Sequence, residues 1–261
     1  MARAMQLGIT TKDDDRNDLA RAAFAEFLAT LLFLFLLLSP VQFLGPLDGG
    51  NKVLMAWQHG LAIAVLVYVF AGVSGANVNP AVTFGLLVAK RISLERAVFY
   101  VVAQCLGAIA GSGLAMTYLD GTNGGANVVS PGVEVAGAFG GEVICTFLLV
   151  TAVFAATDGE LCRKMKHMEA QLPIAVGFAV ATSAIALLAV DGCSINPARS
   201  FGAAVVTNMW DDHWVFWVGP LLGGLLSALV WEAVLRPSLP SASDEKEISM
   251  AESKEDGGAL A

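Results

Sequence analysis

Two Asn-Pro-Ala triplets lie within long apolar stretches, and their residue types suit the start of a helix. They comprise Asn79, Pro80 and Ala81 in the first half of the chain and Asn196, Pro197 and Ala198 in the second. Proline fits the first helical turn, where its missing N–H has no bond to make, and asparagine is a preferred N-cap. The triplets therefore predict two short helices, at about 80–88 and 197–207, each too short to cross a bilayer.

Two short helices at membrane depth suggest a particular arrangement. They enter from opposite faces and meet end to end, because irregular backbone inside a bilayer is tolerated only where it lines a cavity. In the alternative interpretation, the triplets merely cap two surface loops. The interval 53–89 contains no Asp, Glu, Lys or Arg, and 192–210 contains only Arg199, which argues against surface loops.

Three charged residues lie in otherwise apolar sequence, where a charge is costly and marks a functional candidate. Arg199 follows the second triplet, while Glu26 and Glu142 lie near the starts of two apolar runs. Arg199 either has a functional role at membrane depth or is the structural partner of a carboxylate. The glutamates either support neighbouring structure or relay protons, and their symmetric placement favours support.

The symmetric placement belongs to an internal repeat. The two glutamates recur at an offset of 116 residues, as do Thr30 and Thr146, and the two asparagines recur at 117. Each half then holds three membrane spans, an odd number, so the halves insert in opposite directions. Inverted repeats of this kind usually place their site between the halves, near the midplane of the membrane.

Six apolar runs are near or above the length needed to cross a membrane. The chain is 56% hydrophobic and only 15% charged, which is too little charge for the surface of a soluble domain. The runs are 28–44, 53–89, 97–119, 135–157, 170–190 and 214–231, with surplus length after the second and fifth spans. We predict an all-α membrane protein with six transmembrane helices and two half-helices in an inverted 3+3 repeat.

The two ends of the chain differ in composition from the middle. Residues 1–20 contain a cluster of four aspartates, which does not fit a signal peptide, and 237–261 hold six acids against two lysines. Such segments cannot bury enough apolar area to fold alone. We predict a mobile N-terminus at 1–20, a membrane-embedded domain at 21–236 with repeats at about 21–130 and 131–236, and a disordered acidic tail at 237–261.

Basic residues are concentrated in alternate loops. They include Lys90, Arg91 and Arg96 after the second span and Arg163, Lys164 and Lys166 between the fourth and fifth. The excess of Lys and Arg in cytoplasmic loops predicts that both termini are cytoplasmic. The sequence has no metal-ligand cluster, nucleophile motif or phosphate loop, and it predicts no enzyme, no cofactor and no nucleic-acid partner.

Both triplets lie in longer motifs that resemble the signature loops of aquaporins, the major intrinsic protein family. The motifs are SGANVNPAVT at 74–83 and GCSINPARSFGAA at 192–204, and RAVFYVVAQCLG at 96–107 resembles the third span of plant-type plasma-membrane intrinsic proteins. The resemblance covers about 22–235. It implies the six-span aquaporin fold, a homotetramer in the plasma membrane with one pore per subunit, and passage of water or small neutral solutes across the lipid bilayer.

The resemblance also implies roles for single residues. Asn79 and Asn196 offer amide donors to passing water, and the N-termini of the half-helices disfavour cations, as in aquaporin-type channels generally. Glu26 and Glu142 accept backbone N–H groups of the half-helix loops. Arg199 lies in the aromatic/arginine constriction, where it donates hydrogen bonds to solute and repels cations.

Counting back from the asparagines gives the remaining constriction positions as His59, Ala184 and Cys193. Water-selective members usually have phenylalanine at the first of these places and histidine at the second, so this chain departs at both. His59 resembles the histidine of plant tonoplast-type members; the alternative is a core histidine bonded to backbone. With Ala184 we expect a constriction wide enough for ammonia, hydrogen peroxide, urea or glycerol.

Four other residues fit the water-type pattern, namely Ser200, Ala204, Phe216 and Trp217. Glycerol facilitators usually have aspartate where Ser200 stands and tend to lack the aromatic pair. Since the two sets of markers conflict, we place a passive water channel first and a broader neutral-solute channel second. A proton-coupled transporter that uses Glu26 and Glu142 is a further alternative.

A gating hypothesis concerns His167, which lies in the basic loop before the fifth span. Plant plasma-membrane members close by protonating a loop histidine near this place, but the spacing to Pro173 differs here. The competing interpretation is an exposed histidine without a role in gating, and it is the one the spacing favours.

Overall fold

Helices and short turns make up the part of the chain described by the computed structural model, which covers residues 16–42, 49–117, 125–164 and 168–236. Within those ranges the α-helices are α1 (Arg16–Leu38), α2 (Gly49–Ser74), α3 (Pro80–Val88), α4 (Leu94–Met116), α5 (Val135–Thr157), α6 (Gly159–Lys164), α7 (Met168–Leu187), α8 (Pro197–Thr207) and α9 (Val215–Val230). A 3-10 turn, Ser39–Gln42, follows α1, and a π-helical turn, Trp231–Leu235, continues α9.

Six of these helices are long and apolar enough to cross a membrane: α1, α2, α4, α5, α7 and α9 with its π-helical turn. A helix satisfies its own backbone hydrogen bonds, which the interior of a bilayer requires. The predicted fold class, with six long helices and two half-helices in an inverted repeat, is confirmed.

The half-helices α3 and α8 begin at the prolines of the two triplets. Asn79 and Asn196 have extended backbone, with φ of −154° at each, and their side chains cap the first turns. Asn208 ends α8 in the left-handed conformation, and Lys90, with φ of 56°, follows the end of α3. The caps therefore hold both helices to lengths that reach only part of the way through a bilayer.

Helices of the two halves are interleaved. Within each half one pair packs closely, α1 with α4 and α5 with α9, while α2 packs on α7 across the halves. Each half-helix also packs against a long helix of the other half: α3 packs on α9, and α8 packs on α4. The short loops that connect the triplets to their helices are therefore brought together at the centre of the bundle.

Glycines permit the closest helix contacts. A Cβ atom at Gly111 of α4 would lie 2.2 Å from the Leu31 carbonyl oxygen, and one at Gly223 of α9 would lie 2.5 Å from that of Val143. Small residues at such crossings allow backbones to approach, which is the usual basis of helix association in membranes. The glycines thus set the spacing that the central loops require.

Large apolar side chains cover the outside of the bundle. Leu61, Tyr68, Ile144 and Phe178 are each more than half exposed. Exposed apolar area of this extent is rare on soluble monomers and is suited to lipid or to a partner subunit. Of the predicted mobile ends, 1–20 and 237–261, residues 16–20 belong to helix α1. The rest of those two segments and His167 lie outside the described residues.

Candidate functional site

The two triplets meet at the centre of the bundle and are tied to each other by their asparagines. Asn79 Oδ1 accepts the Ala81 N–H at 2.8 Å, while its Nδ2 donates to the Ile195 carbonyl at 2.7 Å. Asn196 repeats the arrangement, accepting from Ala198 at 3.1 Å and donating to the Val78 carbonyl at 2.9 Å. Since an amide NH₂ has two N–H groups, each asparagine keeps a second donor beyond this cross-link.

Both loops before the half-helices have unusual backbone conformations. Val78 and Ile195 have φ of 54° and 44°, in a region that β-branched residues rarely adopt. Ala76 and Cys193, two residues earlier in each loop, have φ of 51° and 53°. Conformations of this kind cost on the order of 1–3 kcal/mol each and persist only where the surroundings enforce them.

The two buried glutamates enforce these conformations by accepting loop N–H groups. Glu26 accepts from the Asn77 and Val78 amides at 2.9 and 2.7 Å. Glu142 accepts from the Ser194 and Ile195 amides at 2.7 and 2.6 Å. Hydrogen bonds to a charged acceptor are about twice as strong as neutral ones. Each carboxylate therefore fixes the backbone conformation of the loop that precedes its half-helix.

A continuous cavity passes the junction of the half-helices. Asn79 and Asn196 line its middle, and His59, Cys193 and Arg199 line one part of it. The remaining wall is mostly aliphatic; it includes Phe33, Leu37, Ile63, Leu149 and Val176 and reaches Thr157 at the end of α5. The structure thus brings together three of the four predicted constriction residues around a narrow passage with a few polar groups.

His59 presents a hydrogen-bond acceptor to this cavity. Its Nδ1 lies 2.6 Å from the Met55 carbonyl oxygen. Because a carbonyl only accepts, Nδ1 carries the proton and Nε2 is left with a lone pair. That Nε2 atom is buried and finds no partner among the described residues. His59 therefore combines the backbone bond of a core histidine with a free acceptor on the cavity.

Arg199 presents donors to the same space. Its Nη1 donates to the Gly125 carbonyl at 2.9 Å and to Asn127 Oδ1, and its Nη2 donates to the Gly192 carbonyl at 3.3 Å. These partners are neutral oxygens rather than a carboxylate. Its Nε is buried and has no partner in the described part of the chain. The guanidinium is fixed by backbone and one amide, so its charge acts on whatever occupies the cavity.

Ala184 and the four residues with water-type character lie away from the cavity wall. Ala184 is fully buried and does not belong to the lining residues. Ser200 donates to Asn127 Oδ1 at 2.7 Å, and Trp217 donates to His213 Nε2 at 3.2 Å. Ala204 and Phe216 are buried against neighbouring helices. These positions shape the packing behind the cavity.

Two residues at the site were missed from the sequence. Asn127 joins Arg199 to the rest of the loop, since its Nδ2 donates to the Asp191 carbonyl at 2.9 Å. Asp191 lies one residue before Gly192 and is fully buried. The repeat offset of 117 residues pairs Asp191 with Ser74 and could have drawn attention to it. No comparable signal pointed to Asn127.

Fold and cavity together define a class of protein: a membrane-embedded helical bundle with a narrow passage between two half-helices. The sequence profile of the major intrinsic protein family matches residues 14–231. The chain is 48% identical to the probable aquaporin PIP2-8 of Arabidopsis thaliana, over 83% of this chain and 82% of that protein. It is 46% identical to aquaporin PIP2-7 of the same plant, over 84% and 82%.

A solved structure agrees with these relatives. The X-ray structure of the aquaglyceroporin from Plasmodium falciparum superposes with a TM-score of 0.75 at 25% identity, covering 84% of this chain and 98% of that one. The chain belongs to the major intrinsic protein family, and it is a multi-pass integral membrane protein.

Proposed function

We propose that this protein is a passive water channel that excludes protons and ions. The observation that carries the proposal is the meeting of Asn79 and Asn196 on one continuous cavity that also passes His59 and Arg199. The matching relatives from Arabidopsis carry the name aquaporin, which supports water as the main solute.

The polar groups of the cavity suit weak, sequential contacts with water. A water molecule can donate to His59 Nε2 and accept from Arg199 in the constriction, then accept from the spare amide hydrogens of Asn79 and Asn196. Each contact replaces a hydrogen bond that water makes in bulk. The apolar wall beyond offers few other partners, so water does not stay bound.

Positive charge at two places opposes the passage of cations. Arg199 carries a full charge on the cavity, and the N-termini of α3 and α8 each contribute a partial positive charge at the junction. Two amides that donate to the same water oxygen orient that molecule with its hydrogens outward on both sides. A chain of water molecules cannot then relay a proton through the junction in one direction.

Osmotic shrinkage of proteoliposomes in a stopped-flow instrument tests the proposal. Vesicles that contain the protein should shrink much faster than protein-free vesicles when an impermeant osmolyte is added outside. The lumen pH should stay constant during water flow. Equal rates with and without the protein would contradict a water channel.

A broader neutral-solute channel is the second candidate, and the departure at Ala184 favours it. Since this methyl side chain does not reach the cavity wall, it leaves more room than the histidine ring that water-selective members usually have at this place. Gradients of ammonia, hydrogen peroxide, urea and glycerol on the same vesicles measure the solute range. Ala184→His should lower passage of urea and glycerol more than that of water, and unchanged selectivity would place the constriction elsewhere.

A proton-coupled transporter has less support. Glu26 accepts from Ser74 Oγ at 2.6 Å and from Gln104 Nε2 at 2.7 Å, in addition to its two backbone donors. Neither Glu26 nor Glu142 lines the cavity. A change in lumen pH driven by a solute gradient, with loss of flux in Glu26→Gln, would favour coupling.

We further propose a homotetramer in the plasma membrane with both termini in the cytoplasm. The family resemblance supports the tetramer and the membrane, and the basic residues Lys90, Arg91 and Arg96 at one face support the orientation. Native mass spectrometry of the detergent-solubilised protein tests the tetramer. Protease accessibility of tagged termini in sealed vesicles from cells tests the orientation.

A further inference from the structure

The two halves of the site differ at one pair of equivalent residues. Ser74 precedes Asn79 by five residues, and Asp191 precedes Asn196 by five. In the first half Ser74 Oγ donates to Glu26 at 2.6 Å. In the second half the equivalent neighbour of Glu142 is a carboxyl group, which donates a hydrogen bond only when it carries a proton.

Asp191 is placed to make that bond. It is fully buried, and its Oδ1 accepts the Cys193 N–H at 2.9 Å, just as Ser74 Oγ accepts the Ala76 N–H at 3.0 Å in the first half. This equivalence puts the Asp191 carboxyl group in the place beside Glu142 that the Ser74 hydroxyl takes beside Glu26. Its Oδ2 receives no N–H or O–H from the residues that the structure describes. Two ionised carboxylates in such a place repel each other, and one proton between them turns the repulsion into a hydrogen bond.

Among the residues that the structure describes, no full positive charge is in direct contact with the pair. The titratable groups that face it are Arg199 on α8, Cys193 in the same loop and Cys145 on α5. Arg199 donates its hydrogen bonds to the neutral oxygens of Gly125, Asn127 and Gly192. Helix α9, which packs on Glu142 through Gly219, has no titratable side chain from Val215 to Val230. On α7 the one acid is Glu169, at the start of the helix, whereas Asp191 follows the end of that helix.

The first half also shows which donors the equivalent glutamate receives. Glu26 accepts four donors, two from backbone and one each from Ser74 and Gln104. Glu142 accepts the two backbone donors. A proton shared with Asp191 supplies the bond that Ser74 supplies in the other half.

We propose that Asp191 is a positioning residue of the constriction, and that its carboxyl group and that of Glu142 hold one proton between them. The inference rests on the proposed pore for its functional consequence. Asp191 fixes the turn that carries Cys193, and its carbonyl accepts from Asn127, which in turn holds Arg199. Loss of the shared proton places two negative charges in the buried turn and displaces Arg199 from the cavity wall.

Infrared spectroscopy tests the proton itself without any need for transport. Reconstituted wild-type protein at neutral pH should show the carbonyl stretch of a protonated carboxylic acid. Difference spectra should show that band lost in Asp191→Asn and also in Glu142→Gln, since either change removes one member of the pair. A wild-type protein without the band, or an Asp191→Asn protein that keeps all of it, overturns the proposal.

Permeability as a function of pH tests the positioning role. Wild-type vesicles should change their water or urea permeability as pH rises from neutral to alkaline, with the loss of the proton. Asp191→Asn and Asp191→Ser donate to Glu142 without a titratable proton, so the transition should be absent in both. The same transition in the variants overturns the role. Absence of permeability at every pH would instead count against the proposed channel. The infrared test of the shared proton does not depend on transport and would keep its own outcome.

Discussion

Asn79 donates its side-chain amide to the carbonyl oxygen of Ile195 at 2.7 Å, across a sequence separation of 116 residues. The bond joins the cap of one half-helix to the loop of the other. Asn196 returns it by donating to Val78 at 2.9 Å. Each asparagine therefore starts its own helix and fixes the position of the opposite one, so the centre of the pore is held from both sides.

Replacement of Asn79 by alanine should cost stability through both of these bonds. Loss of an N-cap costs about 1 kcal/mol, and loss of a second hydrogen bond that leaves the Ile195 carbonyl unpaired costs about 1 kcal/mol more. We expect a free energy of unfolding about 2 kcal/mol lower, on these two principles, in a denaturant titration in mixed micelles. Water permeability should fall as well.

Ser93→Ala is the matched control, because Ser93 Oγ caps α4 through the Arg96 N–H at 3.1 Å and lies outside the pore junction. It loses one cap bond and no link between the halves. A loss in Asn79→Ala no greater than in Ser93→Ala would mean that the bond to Ile195 contributes nothing to stability.

Two glycines of α4 lie on different faces and should respond in opposite ways to alanine. A Cβ at Gly111 would lie 2.2 Å from a backbone oxygen of α1, whereas a Cβ at Gly113 meets no atom within 4 Å. Gly111→Ala should push α1 and α4 apart and cost about 1–3 kcal/mol, as overpacking does. Gly113→Ala should be neutral or stabilising by up to about 1 kcal/mol, because alanine favours the helix.

Thermal unfolding of both variants in the same detergent gives the comparison. A melting temperature for Gly111→Ala equal to that of Gly113→Ala would show that α1 and α4 can separate without cost. A further measurement, the water permeability of Gly111→Ala, would report whether their spacing also sets the width of the passage.

The sequence was informative where one local rule decided the structure. Pro80 and Pro197 indicated the first helical turns, and the structure has helices at Pro80–Val88 and Pro197–Thr207 as predicted. Apolar runs with at most one charge located the six long helices, since lipid admits few charges. The offset between the two halves then indicated an inverted repeat.

Contacts between distant segments were not accessible in this way. Asn127 lies in a loop with no periodic pattern, yet it bonds both Asp191 and Arg199. Which ring nitrogen of His59 carries the proton depends on the Met55 carbonyl one helical turn away. Whether Ala184 reaches the cavity depends on the rotation of α7 about its axis, which its sequence does not define because apolar residues lie on every side of the helix.

A cluster of charges joins the end of α5 to the end of α9, and we expect Arg91 to be its main support. Its Nη2 lies 3.3 Å from Asp158 Oδ2 and 3.3 Å from Glu232 Oε1, and its Nη1 donates to Thr157 at 3.2 Å. The Asp158 side chain is 1% exposed. Arg91→Ala removes the less exposed of the two arginines that pair with Asp158 and leaves it Arg236 and the Leu161 N–H. We therefore expect a loss of up to about 3 kcal/mol, the lower end of the range for a broken buried ion pair.

Arg236→Ala is the matched control for Arg91→Ala. Arg236 also pairs with Asp158, with its Nε at 3.4 Å, but its side chain is 53% exposed. Exposed ion pairs contribute about 0–1 kcal/mol and weaken with salt. Equal losses of stability in the two variants would contradict the buried role of Arg91. Since Thr157 lines the cavity, Arg91→Ala should also alter water permeability.

Cys193 should make water permeability sensitive to mercurials. The residue lines the cavity beside Arg199 and is 3% exposed, so a mercury atom bonded to its sulfur would stand in the passage. We expect a small organomercurial to remove most of the wild-type water permeability and an added thiol to restore it. Slow onset is expected, because the thiolate is the reactive form and burial disfavours it.

The other three cysteines provide the control for this experiment. Cys105, Cys145 and Cys162 are only partly buried and do not line the cavity, so their serine variants should remain blocked by the same reagent. Cys193→Ser should conduct water and resist the block, because a hydroxyl replaces the thiol at nearly the same volume. Continued block in Cys193→Ser, with protection in Cys145→Ser instead, would mean that mercury acts from behind the wall by distorting α5 rather than by filling the passage.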